Sequence, residues 1–153
     1  MNVEELMNAK AFTCHPQDAL KVAAELMWTH DIGCVVVVDH DGKALGMVTD
    51  RDLLMCAFLN DRALGDEPVS RAMSKELHAV RVGEPMHVAE AMMKGRQVRR
   101  LAVLDQAGKV AGVLSLNDLA LAAGPKKGIK PEGVAATLAS ICQPRSASAA
   151  AHA

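Results

Sequence analysis

The chain has 153 residues, enough for one compact domain or two small interlocked ones, since folding at this size hides roughly 68–70% of the unfolded surface. Lys and Arg number 17 against 18 Asp and Glu, a formal net charge of −1, so the basic excess of a nucleic-acid or membrane-surface binder is missing. Half the residues are apolar, yet Tyr is absent, Phe occurs twice and Trp once, which excludes a protein that stacks bases on aromatic rings.

In chain order, Val3–Met7 reads as a short helical lead-in. Phe12–Cys14 is predicted as a short strand, and Pro16 blocks helix before Asp18, which is read as an N-cap. From Ala19 to about His30 the residues Leu20, Ala23, Ala24 and Met27 fall at helical spacing, and Gly33 closes that helix. Cys34–Val38 and Leu45–Val48 are β-branched or apolar runs joined through Asp39–Lys43 as a hairpin, with Gly42 free to take a positive φ. A second helix follows from Asp50 to about Leu59. Residues Asn60–Ser70, polar and carrying Gly65 and Pro68, form a link, and a short helix near Val69–Met73 leads onward.

The order then repeats. Leu77–Arg81 is a strand, Glu84–Lys94 a helix, Leu101–Leu104 and Lys109–Leu114 a hairpin, and Leu116–Ala122 a closing helix. Gly46 falls on Gly112 at a shift of 66 residues, and the same gapless frame pairs Val37 with Val103, Asp39 with Asp105 and Gly42 with Gly108. Lys43 meets Lys109, Thr49 meets Ser115, Asp52 meets Asp118 and Leu53 meets Leu119. The co-location of turn glycines and flanking polar residues identifies a tandem duplication.

The expected fold is therefore α/β (α+β): two β-α-β-β-α repeats packed face to face about a pseudo-two-fold axis, because neither half can bury its sheet alone. Repeat one with its lead-in helix is placed at 1–60, a linker at 61–68, repeat two at 69–123, and a linker, short helix and tail at 124–153. Within that last segment Glu132–Cys142 carries Val134, Leu138 and Ile141 on one helical stripe, and Ser146–Ala153 reads as disordered.

No apolar run nears the roughly 18–20 residues of a membrane span, and the acidic start Met1-Asn2-Val3-Glu4-Glu5 lacks the build of a secretory signal. Cys14, Cys34, Cys56 and Cys142 form no C-x-x-C pair and are read as free thiols of a cytoplasmic protein. The six histidines show no paired ligand spacing, so no metal site is expected. A nucleophile–base pair, a Gly-rich phosphate loop and G-x-S-x-G are all missing, so no catalytic residue is assigned and the chain is not expected to be an enzyme.

The runs Gly46-Met47-Val48-Thr49-Asp50-Arg51-Asp52 and Gly112-Val113-Leu114-Ser115-Leu116-Asn117-Asp118 resemble the G-h-h-[ST]-x-x-[DN] signature of CBS domains, where h is apolar. The valine-rich strand before the first, and the Asp39/Asp105 and Gly42/Gly108 pairs, are similar to that family too. The resemblance spans roughly residues 3–122. It implies a Bateman module that binds an adenosine-containing ligand (AMP, ADP, ATP, S-adenosylmethionine or NAD(H)) in clefts between the copies. It also implies a homodimer, a report of energy or metabolite status to an effector protein, and no obligatory cofactor. Val36 and Ala102 stand where the family often has proline.

In that setting Asp52 and Asp118 suit the two adjacent hydroxyls of a ribose, because a carboxylate accepts both through charge-assisted bonds. Thr49 and Ser115, at the strand-to-helix turns, suit phosphate together with the amides of the helix start. Arg51, Asn117, Arg99 and Arg100 flank these positions, and Leu116 removes the acid that Asp50 places beside the first site. By resemblance the base lies against Thr13, Cys14 and His15 with Cys34 and Val35 in copy one. In copy two it lies against Ala79, Val80 and Arg81 with Arg100 and Leu101. The same [ST]-x-x-[DE] spacing also makes a capping box, which needs no ligand, and a carboxylate folded onto a cap offers fewer lone pairs to a sugar. A structural or protein-docking dimer with vestigial clefts is thus the alternative, and a redox role for Cys14 and Cys34 is a third.

Overall fold

The computed structural model describes residues 1–125 and 128–144; the segment expected to be disordered, Ser146–Ala153, and the Lys126-Lys127 pair of the second linker lie outside them. Repeat one contains β1 (Thr13–Cys14), α1 (Leu20–His30), β2 (Cys34–Val38), β3 (Ala44–Thr49) and α2 (Asp50–Asn60). Repeat two contains β4 (Ala79–Arg81), α3 (Met86–Arg96), β5 (Arg100–Leu104), β6 (Val110–Ser115) and α4 (Leu116–Ala122), and α5 (Pro131–Ile141) follows. The result is a mixed α/β protein with two three-stranded sheets, ordered β1-β2-β3 and β4-β5-β6.

Each sheet joins a parallel edge to a hairpin. Thr13 pairs with Val36 and Cys14 with Val37 in parallel, and Ala79 pairs with Ala102 and Val80 with Val103 in the same way. Those registers superpose at the shift of the duplication. Gly42 and Gly108 both take φ of 79°, the conformation the hairpin turns need.

The helix ends differ from expectation for a local reason. Asp18 does not cap α1: its Oδ2 accepts from the His15 amide at 2.7 Å, so the helix starts later, at Leu20. Glu84 does the same for the Arg81 amide at 2.8 Å. Nor does Gly33 close α1. Asp31 takes the left-handed conformation at φ 52°, as Gln97 does at φ 51°, and Ile32 N and Val98 N reach back to Met27 O (3.0 Å) and Met93 O (3.1 Å). That 6→1 bond completes a Schellman ending without glycine.

The chain forms two compact units that are not contiguous in sequence. One gathers Lys10–Leu77 with the hairpin tip Gln106–Val110; the other gathers Met1–Ala9, His78–Asp105 and the described residues from Ala111 onward. In the first, the single turn Val69–Arg71 is tied down by Val69 N to Asp18 O at 2.8 Å and Ser70 N to Pro16 O at 2.9 Å. Val69 is fully buried there among Leu20, Ala23, Val35 and Val48. In the second, the turn Val3–Glu5 is tied by Val3 N to Glu84 O at 2.9 Å, and Val3 is buried among Val80, Met86, Ala89 and Leu114. Glu4 adds a clasp: its Oε2 accepts from Gly83 N at 2.8 Å, and that amide holds the carboxyl below its usual range. In the first unit the buried Glu67 carboxylate draws in Arg71 at 3.3 Å and Arg62 at 3.7 Å.

After each turn the chain runs along the outer edge of the hairpin. Ser74 N donates to Met47 O at 2.9 Å and Met47 N to Ser74 Oγ at 3.1 Å; Asn8 and Val113 exchange backbone bonds of 2.9 and 3.0 Å. This approach explains the first residue of the signature. A Cβ on Gly46 would lie 2.8 Å from Ser74 O, and one on Gly112 would lie 2.7 Å from Asn8 O. Since backbone is the obstacle, Gly46→Ala or Gly112→Ala should each cost about 1–3 kcal/mol, lowering Tm in thermal melts followed by circular dichroism. Gly95→Ala, in α3 with nothing near its Cβ, should raise Tm instead, since Ala is favoured over Gly in a helix by roughly 0.5–1 kcal/mol.

Candidate functional site

The β3–α2 and β6–α4 turns are built alike. Asp52 Oδ2 accepts from Thr49 N at 2.8 Å and from Thr49 Oγ1 at 2.7 Å, while Asp52 N donates to Thr49 Oγ1 at 3.3 Å. Asp118 Oδ2 accepts from Ser115 N at 2.7 Å and from Ser115 Oγ at 2.6 Å, and Asp118 N donates to Ser115 Oγ at 3.3 Å. These are reciprocal capping boxes. Each uses one carboxylate oxygen and leaves the other. Neither Oδ1 bonds to a described residue, and no buried side-chain oxygen or nitrogen among the described residues lacks a partner, so each Oδ1 is open to solvent. The cap therefore occupies Oδ2 of each acid and makes no use of Oδ1.

The sheet register decides which of the other candidate residues share this neighbourhood. Cys34 lies directly opposite Thr49, and Val35 opposite Val48. Val35, Val48 and Cys14 belong to the core beneath the helices. Because successive residues of a strand alternate faces, Cys34, Thr49 and Thr13 lie on the opposite face. Cys14 and Val35 can therefore offer a ligand only backbone groups. In copy two Val80 and Leu101 are in the core in the same way, which leaves Ala79, Arg81 and Arg100 on the other face.

His15 is separated from Thr49. It follows Cys14, so it stands level with Val38, and its Nδ1 lies 3.1 Å from Val38 O. That is four residues, or about 13 Å, along the sheet from Cys34 at ~3.3 Å per residue. His15 stacks on His40 with ring centroids 5.3 Å apart, and Arg81 at the matching position donates from a guanidinium nitrogen to Asp105 O at 3.1 Å. The residue level with Cys34 is Ala11, by extension of the parallel register. The sequence reading passed over it because β1 is two residues long and only its pairing shows which end meets Thr49.

Around the turns, Arg51 and Asn117 are exposed and Asp50 Oδ1 accepts from Arg51 N at 2.8 Å. Leu116, opposite in kind to Asp50, is buried, and its amide donates to Arg99 O at 2.9 Å. The Arg99 side chain is exposed and that of Arg100 half-buried, both without a hydrogen bond or ion pair to a described residue. Among the described residues no group of three His, Cys, Asp or Glu is placed to hold a metal, and no helix is long and apolar enough to cross a membrane.

These paired turns, each closing a β-α-β-β-α repeat, define a protein of two CBS domains. A family model for the CBS domain matches residues 3–57 and 69–124, and the chain belongs to that family. The CBS domain-containing protein YhcV of Bacillus subtilis is 34% identical over 120 residues, 78% of this chain and 84% of that protein. The crystal structure of the CBS-domain containing protein ATU1752 from Agrobacterium tumefaciens superposes with a TM-score of 0.70 at 30% identity, over 80% of this chain and 98% of that one. The CBS domain pair of MJ0100, solved in complex with 5-methylthioadenosine and S-adenosyl-L-methionine, gives a TM-score of 0.73 at 20% identity, over 81% of this chain and all of the other.

Cys14, Cys34 and Cys56 are buried and, with exposed Cys142, are free thiols. Burial, with a smaller push from the Asp18 charge, raises the Cys14 thiol from 9.0 to about 11, which keeps it protonated and unreactive near neutral pH. A raised folded-state value means the native chain keeps a proton that the unfolded chain loses above pH 9. Stability should then be unaffected by this group below pH 9 and fall as pH rises toward about 11. Urea unfolding at several pH values in that window should show the decline, and Cys14→Ala should flatten it.

Proposed function

We propose that the chain is a regulatory module that binds an adenosine-containing metabolite (AMP, ADP, ATP, S-adenosylmethionine or NAD(H)) at each CBS repeat. It acts as a cytoplasmic homodimer that reports ligand state to an effector protein, with no obligatory cofactor and no catalysis. The observation that carries this reading is the open Oδ1 of Asp52 and Asp118 at matched positions of both repeats. In each, Oδ1 accepts the ribose hydroxyls while Oδ2 keeps the cap. Thr49 and the first amides of α2 meet the phosphate in copy one; Ser115 with the unpaired Arg99 and Arg100 meets it in copy two. Arg51 and Asn117 flank the two. The base lies along Thr13 and Cys34, with the backbone of Cys14 and Val35, or along Ala79 and Arg100, with the backbone of Val80 and Leu101. His15 and Arg81 bound the far end. Burial of area and backbone bonds hold a purine there without aromatic stacking.

The capping boxes are complete without a ligand, which favours a second reading: a structural dimer whose sites are vestigial. Thermal-shift titrations with AMP, ADP, ATP, S-adenosylmethionine and NADH separate the two. A true ligand at 100 times its Kd should stabilise the fold by about 2.7 kcal/mol. Asp52→Asn and Asp118→Asn, which retain an oxygen for the cap, should each abolish the shift from their own site and together all of it. No shift with any of the five at millimolar concentration leaves the structural reading.

A further inference from the structure

We propose that His15 and His40 form a binding site for one divalent transition-metal ion, held through their two Nε2 atoms and completed by water. The two residues are far apart in the sequence, and the parallel pairing of β1 with β2 brings them together. His15 follows β1 and stands level with Val38, the last residue of β2; His40 lies two residues beyond, in the hairpin turn. Their ring centroids are 5.3 Å apart and the planes are inclined by 26°. His15 Nδ1 lies 3.1 Å from Val38 O. A carbonyl only accepts, so Nδ1 carries the proton and Nε2 keeps its lone pair. Metal-ligating histidines are oriented in this way, by an N–H donated from the ring's other nitrogen.

The separation of the rings fits chelation. A Zn–N bond of about 2.0–2.1 Å plus about 1.1 Å from nitrogen to ring centre makes an arm of ~3.2 Å, and two arms at a tetrahedral angle set the ring centres about 5.2 Å apart. His40 is exposed, so its ring is free to turn Nε2 toward the shared point while its backbone stays in place. The turn that carries it is braced: Asp39 Oδ1 accepts from Asp41 N and from Lys43 N, both at 2.9 Å, and Gly42 N donates to Asp39 O at 3.0 Å. On the other side His15 N donates to Asp18 Oδ2 at 2.7 Å. The segments bearing the two rings thus bring three carboxylates, Asp18, Asp39 and Asp41, and one ammonium, Lys43, a balance that favours a cation. Imidazole donors select the late first-row metals over Mg²⁺ and Ca²⁺, which take oxygen. Copy two has no counterpart: the frame of the duplication sets Arg81 at His15 and Gln106 at His40, and Arg81 is bonded to Asp105 O. No residue of the Thr49–Asp52 cap takes part, so metal binding here is independent of the adenosine-binding reading. The bound ion ties the end of β1 to the hairpin tip.

Isothermal titration calorimetry of the full chain with ZnCl₂ tests this. The wild type should bind one Zn²⁺ per chain. His15→Ala and His40→Ala should each weaken that event at least about 10-fold, the loss that removing even an outer partner of a ligand causes, with the circular dichroism unchanged. The double variant should be no weaker than either single one, because one remaining imidazole cannot chelate; losses that add would make the two rings independent and overturn the pairing. No binding at sub-millimolar Zn²⁺, or equal affinity in the wild type and both single variants, overturns the site. Cys142→Ser, which removes an exposed thiol, should leave the affinity unchanged, and a full loss there would place the ion on sulfur instead. MgCl₂ should give no binding, and an affinity equal to that for Zn²⁺ would indicate carboxylate ligands and overturn the assignment. Nitrogen NMR of the imidazoles reads the ligands directly: Zn²⁺ should move the Nε2 resonances of His15 and His40 together while His15 Nδ1 stays protonated, and resonances that do not move exclude the pair.

Discussion

A backbone carbonyl occupies the space that a side chain would need at Gly46, and another does so at Gly112. Much of the architecture follows from this pair of close approaches. Each lets a segment outside the repeat's β-α-β-β-α core lie against the open edge of a hairpin and satisfy backbone groups that would otherwise face water. The turn ahead of that segment then delivers Val3 or Val69 into the core. The signature glycine is thus a packing requirement, and the strand it loosens is the one whose last residue begins the cap.

The next constraint is carried by that cap. A strand that turns directly into a helix leaves amides without partners at the helix start, and the Thr49–Asp52 and Ser115–Asp118 pairs answer this reciprocally. A side-chain acceptor at the third helical position serves the cap whether or not a sugar binds. The motif's polar residues consequently serve the fold first, and any ligand is met by the oxygen that remains.

The repeated elements were legible in the sequence because periodicity and turn chemistry are local. The β-branched run at Cys34–Val38, the Asp41-Gly42 turn and the [ST]-x-x-[DE] cap each state their structure within a few residues. What could not be read there depends on partners distant in the chain. Asp18 looks like an N-cap until the His15 amide claims its carboxylate. Gly33 looks like a helix end until Asp31 supplies the left-handed residue. The same limit applies to the candidate site: Thr13, Cys14 and His15 are consecutive, yet strand pairing sends Cys14 into the core and sets His15 some four residues beyond Cys34.

Duplication makes the physical origin of the differences visible. Where a position answers a folding demand, the two copies agree in kind: glycine against the passing strap, hydroxyl and acid at the cap, aliphatic side chains beneath the helices. Elsewhere they diverge, with Thr13 against Ala79, His15 against Arg81, Cys34 against Arg100 and Asp50 against Leu116. These substitutions give copy one a thiol and an acid near its cap, and copy two the Arg100 guanidinium near its cap and Arg81 at the far end of the strand, bonded to Asp105 O. A common scaffold therefore presents two electrostatically distinct surfaces, because the fold constrains the cap and leaves the charges beside it free to differ.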